Sequence, residues 1–156
     1  MTDTSPTCHL QSPADAPILA ESSPHMLDFG TFADRFATSP ARRHLLRALA
    51  DRLGRLRDHG VEPLFLLVGG GFVRAQHEPA DLDALVGYRL GASGVMTDSM
   101  VALLRERGSG LDLRFVAADG RPELLVRMAC FFHTLYQSRD KGYSQPSFLV
   151  TIGMPT

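Results

Sequence analysis

The chain has 156 residues, a length that suits one domain with a single core. A formal net charge of −1 argues against a protein built mainly to coat nucleic acid, and a hydrophobic content of 44% is ordinary for a globular chain. No apolar run approaches a membrane span, no basic segment with an apolar core opens the chain, and Cys8 and Cys130 have no metal-ligand spacing. These observations point to the cytoplasm. Cys130, just before Phe131 and Phe132, reads as a core thiol.

Residues 1–26 are rich in Ser, Thr, Pro, Asp and Ala and read as a flexible N-terminal tail, with Ile18-Leu19 as a short docking run. Residues 27–156 read as one domain. Phe29, Phe32 and Phe36 share one side of a short helix. Ser39 then caps a second helix, with Pro40 at its first position, and Gly60 ends it. Leu45, Leu46, Leu49, Leu53 and Leu56 form its apolar stripe. Arg42, Arg43, Arg47, Arg52, Arg55 and Arg57 lie mostly off that stripe, which predicts a solvated face; the sharper alternative sends Arg42, Arg43 or Arg47 to an anionic ligand.

Residues 64–68 form a continuous apolar run, as a buried strand does, and stop at three glycines, Gly69, Gly70 and Gly71. Residues 72–76 have room for one helical turn, and residues 77–80 are a polar connector that Pro79 holds out of helix. A second strand covers residues 81–88. A helix capped by Thr97 or Asp98 runs to about Arg107, and residues 108–110 end it. Residues 111–117 make a third strand, with Leu111, Leu113 and Phe115 on one face and Asp112, Arg114 and Val116 on the other. Residues 121–138 are predicted helical, with Leu124, Leu125, Met128, Phe131, Phe132 and Leu135 turned to the core. Residues 148–152 are a last, short strand. The whole is α/β (α+β), a mixed sheet flanked by helices.

The chemistry concentrates between the first two core strands. Asp81 and Asp83 alternate onto one strand face, where two adjacent carboxylates repel unless water, a cation or a positive ligand offsets them. A glycine turn that can hold phosphates, facing a carboxylate pair that can hold Mg²⁺, makes a physically sensible nucleotide site. The order of strand, Gly70-Gly71, connector and Asp81-Leu82-Asp83 resembles the signature of the DNA polymerase beta-type nucleotidyltransferase superfamily. Asp112 stands where that superfamily carries a third carboxylate. Arg42-Arg43, Gly70-Gly71-Phe72-Val73 and Lys141-Gly142 further resemble a group of small bacterial proteins of unknown function with this nucleotidyltransferase-like core. The common Ser after the first glycine is Gly71 here.

The resemblance implies a nucleotidyltransferase-like sheet over roughly residues 29–152. It implies Asp81, Asp83 and Asp112 as ligands of Mg²⁺ or Mn²⁺, and Gly70 and Gly71 as a phosphate turn. Arg74 and Lys141 are further phosphate candidates; an exposed arginine is the default for Arg74, and Lys141 is as readily a surface lysine; His77 reads as an exposed loop histidine. The activity implied is transfer of a nucleotidyl group from a nucleoside triphosphate to a protein, nucleic-acid end or small molecule. The alternative is a catalytically inactive binding module that pairs with another protein, antitoxin-like or defence-related. A third reading is a structural or interaction protein, a homo-oligomer among the options, whose glycine turn is only a turn; it predicts no cation dependence.

Overall fold

The structure is a computed structural model and describes residues 24–74, 78–138 and 146–153. Its strands are β1 (His25–Asp28), β2 (Val61–Gly69), β3 (Leu82–Leu90), β4 (Leu111–Ala117) and β5 (Phe148–Thr151). Its helices are α1 (Phe29–Phe36), α2 (Pro40–Asp58), α3 (Asp98–Arg105) and α4 (Pro122–Ser138). The strands form one mixed sheet in the order β1-β5-β2-β3-β4. β2 is antiparallel to both β3 and β5, while β1 runs parallel to β5 and β4 parallel to β3. The architecture is α+β.

Strand alternation divides the core in two. Leu66, Val68, Leu82, Ala84 and Val86 enter the main core with α1, α2 and α3. Leu67, Leu85 and Val116 point the other way, against Tyr136 of α4, with Leu125, Met128, Ala129 and Phe132 beside them. In the main core Phe32, Phe36, Phe72 and Phe148 cluster with ring centroids 4.8 to 6.1 Å apart. Such tilted and edge-on packing favours aromatic rings beyond the area they bury.

Local chemistry fixes the helix starts. Asp28 caps α1 by accepting from Thr31 N at 2.9 Å, Ser39 caps α2 by accepting from Arg42 N at 3.2 Å, and Thr97 caps α3 by accepting from Met100 N at 3.3 Å. β1 begins within the segment whose composition reads as tail.

Three expectations are corrected. Arg42 and Arg52 are buried rather than solvated, because each spends its guanidinium on backbone carbonyls: Arg42 on Phe72 and Arg74, Arg52 on Leu103. Cys130 is exposed, since the sheet-facing positions of α4 are 125, 128, 129, 132 and 136 and residue 130 turns away. Leu124 and Phe131 are also exposed, on a flank of α4 beside the sheet-facing stripe. Among the described residues no helix is long and apolar enough to cross a membrane.

Candidate functional site

β2 ends at Gly69 and the chain turns through a short 3-10 segment, Gly70–Val73. In the sheet Gly69 pairs with Asp83, and Asp83 pairs with Asp112. Glycine and two carboxylates thus form one row across three adjacent strands, at spacings of about 4.8 Å. Asp83 shares its strand face with Leu85, and Asp112 shares its face with Val116, so both lie on the α4 side. The ring of Tyr136 rests where a side chain at Gly69 would stand. Asp81, exposed, immediately precedes β3 and has the same strand parity as Asp83.

Gly70 holds φ +69°, and a Cβ there would lie 2.7 Å from Asp83 Oδ2. The missing side chain is therefore what admits the Asp83 carboxylate to the turn. Gly71 has open space around its Cβ position. The turn is anchored from behind: Arg42 donates to the carbonyls of Phe72 and Arg74 and stacks on the Phe72 ring at 5.4 Å. Ser39 donates to Glu78 Oε2 at 2.8 Å. The start of α2 thus holds both ends of the connector that joins the glycine turn to Asp81.

Asp112 is not bare. Its Oδ1 lies 3.4 Å from Arg107 Nη1 and 3.3 Å from Arg114 Nη2. Arg107 also donates to the Leu113 carbonyl at 3.2 Å. Among the described residues no three His, Cys, Asp or Glu side chains are gathered closely enough to hold a metal ion. The oxygen donors Asp81, Asp83 and Asp112 suit a hard cation in chemistry, and the Asp83–Asp112 register suits it in place. Asp112 would have to turn from its two arginines. Those are 57% and 48% exposed, and pairs of that kind contribute little.

Of the residues singled out from sequence, Gly70, Gly71, Asp81, Asp83 and Asp112 come to one end of the sheet. Arg74 adjoins the turn and is committed through its carbonyl to Arg42. His77 and Lys141 lie outside the described residues. Sequence reasoning passed over Tyr136 and Arg107 as site residues. The helical spacing 125, 129, 132, 136 was the signal for Tyr136; for Arg107, on a loop, no spacing gave one.

A cleft of about 500 Å³ opens between α2 and the segment before β4. Leu111 and Leu113 belong to its wall, so it faces away from Asp112 across β4. Arg52 and Arg55 both pair with Glu106 in it, Arg55 through two bonds of 2.9 and 2.7 Å.

Comparison with known proteins adds a family. The model described as Family of unknown function (DUF6932) matches residues 12–145. No curated protein and no solved structure matches the chain.

Proposed function

The chain belongs to this family of unknown function, and we propose that it is a metal-dependent nucleotidyltransferase of the cytoplasm. The single observation that supports the reading best is the row Gly69–Asp83–Asp112, with Gly70 shaped to admit the Asp83 carboxylate. The substrate would be a nucleoside triphosphate, and the acceptor a protein, a nucleic-acid end or a small molecule. In this reading Asp81 and Asp83 would hold Mg²⁺ or Mn²⁺, and Asp112 would complete the set on leaving Arg107 and Arg114. A divalent cation so held neutralises the triphosphate and acidifies the attacking hydroxyl. The chain's own residues do the rest. Backbone N–H groups of the Gly70–Val73 turn would be the donors to the phosphates, Arg42 anchors that turn, and Arg107 and Arg114, once freed, would offer positive charge to the leaving group. Asp112 would also be the candidate base toward the acceptor hydroxyl.

A second reading, a binding module without turnover, is favoured by the arginines on Asp112. It predicts nucleotide or partner binding with no pyrophosphate release.

The test is thermal unfolding with Mg²⁺ or Mn²⁺ and each nucleoside triphosphate, for wild type and the Asp81→Asn/Asp83→Asn double variant. A ligand at a hundred times its dissociation constant adds about 2.7 kcal/mol. The expected result is a metal-dependent rise in Tm for one triphosphate that the double variant loses. No shift with any triphosphate would sink the nucleotide reading. A shift without pyrophosphate release, across candidate acceptors, would leave the binding module.

A further inference from the structure

β4 is the outermost strand on its side of the sheet, and its backbone has a definite polarity. Leu82 N–H bonds to Gly110 O at 2.8 Å, and Ala118 N–H bonds to Tyr88 O at 2.6 Å. Even-numbered residues of β4 therefore turn their backbone groups toward β3, and residues 111, 113, 115 and 117 turn theirs to the outer edge. That edge is seven residues long and is blunted among the described residues by two contacts only: Leu111 N with Gly108 O at 3.1 Å, and Leu113 O with the exposed Arg107 side chain. An edge of this length is a template for another strand.

From these features we infer that β4 pairs antiparallel with β4 of a second copy of this chain, about a two-fold axis at Leu113. The axis follows from backbone polarity and charge together. Outward-facing residues must oppose one another, which permits axes at 113, 114 or 115 in the body of the strand. An axis at 114 sets Arg114 against Arg114. An axis at 115 sets Arg114 against Val116. An axis at 113 sets Asp112 against Arg114 twice over, closes Leu113 on Leu113, and sets Leu111 against Phe115. Opposite charges directly across an antiparallel pair are favourable and like charges are not. Only the axis at 113 makes the strand complementary to itself. Arg107 swings off the Leu113 carbonyl to admit the partner.

The α4 flank extends the same surface. His133 Nδ1 lies 2.8 Å from Ser147 Oγ, just before β5, so that side of α4 looks toward β5. Leu124 and Phe131 lie about 180° and 200° around the helix from His133, on the side toward β4. They are 49% and 59% exposed, and a second copy at the β4 edge gives both a partner.

The experiment measures mass by sedimentation equilibrium over a wide concentration range, for wild type, Asp112→Arg, Arg114→Asp, and an equimolar mixture of the two variants. Circular dichroism checks that each variant is folded. Wild type is expected to reach twice 17.0 kDa. Each variant alone faces like charges across the axis and stays at single mass. The mixture restores both ion pairs and returns to double mass. A wild type that stays at single mass throughout, variants that dimerise as well as wild type, or a folded mixture that stays at single mass would each overturn the inference. If either variant fails to fold, Phe131→Asp on the exposed flank replaces it. Loss of the dimer there supports the inference, and an unchanged dimer overturns it. The readout is mass alone, so its outcome is independent of whether nucleotide binds.

Discussion

Gly70 combines two demands that only a glycine satisfies: a left-handed backbone, φ +69°, and a carboxylate oxygen 2.7 Å from where its Cβ would stand. Gly70→Ala should cost about 2–3 kcal/mol, from the left-handed conformation and from displacing Asp83. Gly71 meets neither demand, so Gly71→Ser should stay within about 0.5 kcal/mol of wild type. Urea midpoints of the two variants check the contrast, and equal losses would mean that the turn is shaped by something other than Asp83. This difference was not visible in the sequence, where three consecutive glycines look alike. What the sequence did carry was the side on which each aspartate stands, because strand alternation is a strict period of two and the strands were apolar enough to locate. The same period put Arg114 on the face of Asp112. The ion pair between them was therefore readable and was passed over, while the contribution of Arg107 was not, since a loop residue has no period.

At the scale of elements, the α2 start and the glycine turn are one unit. Arg42 is buried, donates to the carbonyls of Phe72 and Arg74, and lies on the Phe72 ring. Arg42→Ala leaves both carbonyls without that donor and should cost about 2–4 kcal/mol, with faster hydrogen exchange confined to the turn and the start of α2. Uniform exchange changes across the sheet would contradict a local clamp. α2 and α3 were legible here because their caps are local: Ser39-Pro40 and Thr97 each act within three residues. The burial of Arg42 and Arg52 was not, because their carbonyl partners lie 30 to 51 residues away. β1 escaped for a similar reason. Its partner is β5, at the other end of the chain, and four residues carry too little pattern to announce a strand.

For the molecule as a whole, acid stability should reflect, beside Asp28, whose carboxyl the Thr31 hydrogen bonds hold below its usual range, a carboxylate that ties α2 to the end of α3. Glu106 accepts from Arg55 and pairs with Arg52, and the Arg55 hydrogen bonds, foremost, hold its carboxyl below the ordinary value of 4.5. A lowered carboxyl in the folded state contributes stability that is full above 4.5 and is lost as the pH falls through its folded value. Urea midpoints taken from neutral pH downward should therefore fall below pH 4.5, and Glu106→Gln should remove that part of the slope. Its share is under about 1 kcal/mol, since the carboxylate is partly exposed. An unchanged slope in the variant would assign acid sensitivity elsewhere. The strand order has its own consequence, in time rather than in space. β5, the last strand of the chain, lies between β1 and β2. On a ribosome β1 emerges first and has no neighbour to pair with until more than a hundred further residues have been made. β2, β3 and β4 can assemble in the order of their synthesis, whereas the opposite border of the sheet waits until β5 has been made, a long-range closure of the kind that slows folding.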